Sequence, residues 1–199
     1  MILVCASIAA AQSDDYKKYE FYGGYSGAVA VHGIRDARIL DDPDDYNGWN
    51  TSITANFRRY AGVKFDFTGV YRLRTIPFGA SPTGVNLDGA LYNFAGGLQI
   101  KDNSPDKTFK PFVHVLAGIA HARNRIKISN DACIAIIPGP CPANFTERDT
   151  AVAGDIGGGI DIRVDDQFDL RILQIDYNPT RLFDTSHRSL RVGIGIVFH

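Results

Sequence analysis

The chain has 199 residues, 21 of them basic and 22 acidic, for a formal net charge of -1. So even a balance excludes a nucleic-acid protein that relies on a basic face, and no apolar run reaches the roughly 20 residues of a transmembrane helix. Twenty glycines and 22 aromatic residues (12 Phe, 9 Tyr and 1 Trp) point to many turns around an aromatic-rich sheet.

Met1 to Ala11 (MILVCASIAAA) has the apolar core of a secretory signal, and small residues at Ala9 and Ala11 suit signal peptidase. No Lys or Arg precedes that core. Residues 1–11 therefore read as a signal truncated at its N-terminus, and residues 12–199 as one domain. Lipidation of Cys5 is disfavoured, because Val4 before it is not small. With Cys5 removed, an exported chain keeps only Cys133 and Cys141, both in one loop, where a disulfide is expected. None of the five histidines lies in that loop, so neither a metal site nor a cofactor is expected there.

Eight segments with period-two alternation follow, each about as long as a tilted strand needs to cross a bilayer. The first, Tyr19 to Val31, puts Tyr19, Phe21, Tyr25, Val29 and Val31 opposite Glu20, Ser26 and His32. In the second, Trp49, Ile53, Ala55 and Phe57 alternate with Asn50, Ser52, Thr54, Asn56 and Arg58. The third sets Val63, Phe65, Phe67, Tyr71 and Leu73 against Lys64, Asp66, Thr68 and Arg72. The fourth has Ala90, Tyr92, Phe94, Leu98 and Ile100 against Asn93, Gln99 and Lys101. The fifth, Phe109 to Ala122, turns Val113, Val115, Ala117 and Ile119 one way and Lys110, His114, Gly118 and Ala120 the other. The sixth opposes Val152, Ile156, Ile160, Ile162 and Val164 to Asp155, Asp161 and Arg163.

Alternation slips in the seventh segment, and a bulge near Ile172 and Leu173 would turn Asp169, Arg171, Gln174 and Asp176 all inward. The eighth, Ser189 to His199, places Leu190, Val192, Ile194, Ile196 and Phe198 opposite Arg191, Gly193, Gly195 and Val197. Glycine behind a broad apolar stripe suits the wall of a narrow closed barrel. The connections alternate too: Tyr60 to Gly62, Asp102 to Lys107 and Asp165 to Gln167 are short, whereas Gly33 to Gly48, Thr75 to Gly89, Arg123 to Thr150 and Asn178 to Arg188 are long. Short periplasmic turns and long outer loops are the membrane-barrel pattern. In that orientation Tyr19, Phe21, Phe57, Phe65, Phe109, Phe168 and Phe198 form an inner aromatic girdle, and Trp49, Tyr71, Tyr92 and Tyr177 an outer one. A soluble sandwich or lipocalin-like barrel would alternate as well, but with its apolar face inward. The expected fold is all-β: an eight-stranded antiparallel transmembrane up-and-down barrel.

Through the segments YEFYGGYSG, KPFVHVLAGIAHA, QIDYNPTRLF and RVGIGIVFH the chain resembles the small outer-membrane β-barrel proteins of OmpA-like type. The resemblance implies the bacterial outer membrane, outer-membrane lipid as surroundings, and recognition of the C-terminal strand by the barrel assembly machinery. His199 departs from the pattern by following the terminal aromatic.

Parity gives the lumen a charge network of Lys64, Asp66, Arg72, Asp155, Asp161, Arg163, Arg171 and Asp176, joined by Lys101, Lys110, His114 and Arg191. Enclosed ions are costly unless matched, so a paired plug is expected rather than a pore. No catalytic residue is assigned; the expected role is envelope integrity or contact through the long outer loops with an extracellular ligand. His187 and Ser189, one residue apart, have the spacing seen in outer-membrane lipid A deacylases, but no acidic partner for the histidine is evident. The glycines of 154–159 and 193–195 lie in alternating strands with no helix to follow, unlike a phosphate loop. N-terminal sequencing of the native protein should find Gln12 first in material that fractionates with outer membranes; cytosolic protein that retains residues 1–11 would contradict this.

Overall fold

Each alternating segment is a strand in the computed structural model, which describes residues 16–30, 46–78, 81–104, 106–128, 144–182 and 185–199. The strands are β1 (Tyr19–Ala30), β2 (Tyr46–Arg58), β3 (Ala61–Phe78), β4 (Ser81–Lys101), β5 (Phe109–Ile128), β6 (Asn144–Arg163), β7 (Phe168–Leu182) and β8 (Thr185–Phe198). Each pairs antiparallel with the next, and β1 closes on β8 from Phe21↔Phe198 to Ala30↔Ser189. Closure leaves no edge, the condition on which strands can lie in lipid. The candidate signal, Cys5, Gln12, Cys133 and Cys141 lie outside the described residues.

The barrel is polar inside and apolar outside. Among the described residues 25 buried side chains are polar or charged and 12 are apolar, the reverse of a soluble core. In β5, for example, Lys110, Phe112, His114 and Leu116 are buried while Phe109, Val113, Val115 and Ile119 face out. That inversion rules out the lipocalin-like alternative.

Three of the long loops expected from the sequence begin and end as strand. β3 and β4 pair up to Phe78↔Ser81, β5 and β6 to Lys127↔Asn144, and β7 and β8 to Leu182↔Thr185. Period-two apolar patterning marks only the lipid-facing part of a strand; above the membrane both faces meet water and the signal fades. β4, with 21 residues, is about twice the roughly 9–11 needed to cross a bilayer, so the sheet stands well above it.

At the opposite end the turns are tied together. Arg59 Nε lies 3.5 Å from Asp102 Oδ1, the His199 amide donates to the Gln167 carbonyl at 2.9 Å, and the Asn56 amide to Lys18 at 2.7 Å. The aromatic girdles are outward here: Tyr19, Phe21, Phe57, Phe65, Phe109 and Phe198 are exposed at the short-turn end, and Trp49 and Tyr71 toward the other. Trp49 lies over Gly69, where a Cβ would come within 2.8 Å of the indole, and its Nε1 donates to the Tyr71 hydroxyl at 3.4 Å.

In β7 both Ile172 and Leu173 face out, and the pairing to β8 jumps from Arg171↔Gly195 to Gln174↔Gly193. This bulge restores inward parity on both sides of itself. Elsewhere, glycines let strands approach: a Cβ on Gly118 would stand 1.8 Å from the Phe94 carbonyl oxygen, and one on Gly97 2.2 Å from that of Val115. Gly118→Val should therefore destabilise the barrel by about 1–3 kcal/mol through overpacking, read as a lower urea midpoint in detergent or as loss of the heat-modifiable folded band on gels.

Candidate functional site

An eight-stranded barrel is just wide enough for side chains to fill, so residues from strands far apart in sequence meet across its axis. Two charge clusters result. Near the short-turn end, Lys101 Nζ lies 2.8 Å from Glu20 Oε2 and 2.8 Å from Asp161 Oδ2. Arg171 forks onto the same Asp161, Nε to Oδ1 at 2.7 Å and Nη2 to Oδ2 at 3.0 Å. Such bidentate pairs are the strong ones. Lys110 Nζ reaches Asp169 at 2.9 Å, and His199 Nε2 lies 2.9 Å from the same carboxylate.

The Arg171 guanidinium is also stacked between two rings, its Cζ 4.3 Å from the Tyr22 centroid and 4.1 Å from that of Phe112. Glycine makes this possible. A Cβ on Gly195 would come 2.8 Å from the Tyr22 ring, and one on Gly159 2.8 Å from Phe112. The inward glycines of β6 and β8 thus give their space to the aromatics that cover Arg171.

The second cluster, nearer the outer end, centres on Arg191. Its Nη2 lies 3.2 Å from Asp66, 2.7 Å from Asp155 and 2.6 Å from Asp176, and its Nη1 donates to Thr68 Oγ1. Asn50 supports Asp66 and Thr68 with bonds of 2.9 and 2.8 Å, and Gln174 donates to Asp176 at 2.6 Å. Lys64 Nζ stands 3.6 Å from Asp66 and 3.4 Å from His114 Nδ1. An ammonium only donates, so Nδ1 accepts and Nε2 carries the proton. Nε2 faces Asp176 at 3.1 Å and Asp155 at 3.5 Å. His114, Asp155 and Asp176 offer ligand atoms within 4.8 Å of one another, as a metal site would. Arg191 bridges both carboxylates through their other oxygens, while His114 Nε2 and the two Oδ1 atoms that face it have no hydrogen-bond partner among the described residues.

Of the residues assigned from sequence, Lys64, Asp66, Asp155 and Asp176 meet in the outer cluster, and Asp161 and Arg171 in the inner one. Arg72 is buried above them, with its Cζ 5.7 Å from the Tyr46 ring. Arg163 is the exception. It stands at the short-turn rim and pairs with Asp166, because it is the last residue of β6 and its long side chain reaches solvent. Parity turned Glu20 and Asp169 inward without giving them partners, and His199 carried no signal at all, since a residue after the final strand has no alternation to place it. Ser189 lines a cavity of about 30 Å³ with Thr68, Asn93, Asn178, Thr180 and Arg191, room for a water or two, and so faces the lumen. The His187 side chain lies outside the described residues.

This geometry is that of small membrane barrels. Ail, the attachment invasion locus protein of Yersinia pestis, superposes with a TM-score of 0.60 at 16% identity, over 90% of this chain and 97% of that one. Neisserial surface protein A gives 0.52 at 14% identity over 93% and 99%, and the outer membrane protein OprG of Pseudomonas aeruginosa 0.52 at 10% over 90% and 94%. The chain has the fold of an outer-membrane barrel. An Ail structure also holds sucrose octasulfate, described as a heparin analogue. No protein-family model matches the chain, and no curated protein is significantly similar to it. Fold and outward apolar belt together place the barrel in the bacterial outer membrane.

Asp161→Ala would leave Lys101 and Arg171 without their shared carboxylate. Breaking a buried pair from one side costs about 3–5 kcal/mol, so the variant should unfold at clearly lower urea than the parent. An unchanged midpoint would show that Asp161 does not hold the inner cluster together.

Proposed function

We propose that this is a non-enzymatic outer-membrane protein whose lumen is closed by paired charges and whose role lies in envelope integrity or in surface contact through its outer loops. The observation that carries it is the position of Arg191, which joins carboxylates of β3, β6 and β7 across the axis from β8. Two opposite charges 4 Å apart attract by about 4 kcal/mol at an effective dielectric near 20, and a chain of such contacts leaves no path for free ions. Outer-membrane lipid surrounds the belt, and the barrel assembly machinery reads the C-terminal strand. The sheet above the membrane offers a platform for an extracellular ligand, a reading supported by the sulfated ligand bound to Ail. The inward Ser189 argues against a lipid A deacylase, whose serine would have to meet an acyl ester.

In planar bilayers the parent protein should show no steady conductance, and Arg191→Ala should open ion-permeable events by removing the cation that joins three carboxylates. Free, stable conductance of the parent would replace the plug with a diffusion pore. Acyl release from purified lipid A would restore the hydrolase.

A further inference from the structure

The outer wall of β4, β5 and β6 carries a cationic column directly above the outer aromatic girdle. Outward parity in β5 runs from Val113 and Ile119 through His121, Arg123, Arg125 and Lys127. Tyr92 pairs with His121, which in turn pairs with Thr150; one step higher, Ala90 pairs with Arg123 and Arg123 with Arg148. Arg125 follows, opposite Asp88, and then Lys127, opposite Asn86. Lys127 and Arg148 are exposed, and Arg123 and Arg125 half-exposed.

Two arginines directly across a ladder repel each other, and a third and a lysine extend the column. Asp88 is the one carboxylate facing them among the described outward positions of these three strands. None of Arg123, Arg125, Lys127 and Arg148 makes an ion pair with a described residue. The excess is one-sided. At the same level β2 carries Asn47, and β3 carries Leu73 and Thr75.

Height selects the counter-ion. Girdle aromatics sit at headgroup level, and two residues of strand tilted near 40° rise about 5 Å. Arg123 thus stands about 5 Å above His121, Arg125 about 10 Å and Lys127 about 15 Å, on the wall that faces lipid. We propose that this wall binds the phosphates of an outer-leaflet glycolipid headgroup of the bisphosphorylated lipid A type, with the arginines as bidentate phosphate ligands. A soluble sulfated glycan fits less well, because Arg123 and Arg148 stand next to the girdle, four pairs below Lys127↔Asn144, the last described pair of β5 and β6. The proposal rests on the outer-membrane placement of the barrel.

The test is titration of bisphosphorylated lipid A into the full-length protein in neutral detergent, followed by native mass spectrometry. Monophosphorylated lipid A and phosphatidylcholine serve as comparisons. The combined variant Arg123→Gln, Arg125→Gln, Arg148→Gln should bind at least about tenfold more weakly, since charge-assisted phosphate bonds are each worth a large part of that factor. Single Arg148→Gln should bind a few-fold more weakly, and Lys107→Gln, at the short-turn end, as the parent does. Removing one phosphate from the lipid should weaken the parent more than the combined variant. Equal affinity of parent and both arginine variants would overturn the proposal, and so would sucrose octasulfate binding the parent while lipid A does not. Folded controls are read from heat-dependent gel mobility. Parent protein that folds but fails to enter vesicles would instead remove the membrane placement itself.

Discussion

Lipid offers no hydrogen bonds, and from that single constraint the rest of this molecule follows. Every backbone group in the spanning region must pair within the sheet, so the eighth strand has to close on the first, as Gly24↔Gly195 and Ser26↔Gly193 do. Closing only eight strands makes the interior narrow. With the apolar side chains turned out to lipid, alternation sends the polar ones into that narrow space, and burial then obliges them to find partners. The charge network is therefore the price of the belt.

Packing and electrostatics are solved together along the axis. Large groups such as Tyr22, Phe112 and Arg171 fit only where a neighbouring strand contributes glycine, so the distribution of small residues decides where charge can be covered by an aromatic face. A stacked guanidinium gains about 0.5–2 kcal/mol from each ring it meets, more as water is excluded. Those gains offset part of the desolvation of Arg171, and its bidentate contact with Asp161 offsets more. The same logic places Gly157 beside Asp176, where a Cβ would stand 2.1 Å from the carboxylate oxygen, leaving Asp176 free to serve both Arg191 and His114. Removing bulk from one wall is what lets the opposite wall carry charge.

Most of the fold was legible because one period governed it. A strand between lipid and a polar lumen alternates cleanly, and even the bulge at Ile172 and Leu173 showed as a break in that pattern. Membership of the lumen could be read in the same way for Lys64, Asp66, Asp155, Asp161, Arg171 and Asp176. Partners could not, because they depend on the stagger of strands around a closed ladder: nothing in sequence brings Glu20 to Lys101 or Arg191 to Asp66. Parity also fails at its limits. Arg163 has an inward position at a strand end, where a long side chain can leave the lumen for water, and His199 lies past the last alternating residue. The tall hairpins were hidden for a related reason, since strand above the bilayer is freed from the contrast between lipid and lumen.

The two faces of the wall divide the work differently at different heights. Within the membrane the outward face is fixed by lipid and the inward face by pairing, which leaves little freedom for function beyond staying closed. Above the outer girdle both constraints lift at once, yet the ladder continues through β3 to β6, so side chains there are held on rigid strands while being free to vary. Charges that would be intolerable a few residues lower, such as Arg123 opposite Arg148, become possible only at this level. Recognition by such a barrel is therefore expected to reside in the outward residues of its extended hairpins, with the lumen network supplying the stiffness that keeps those residues in place.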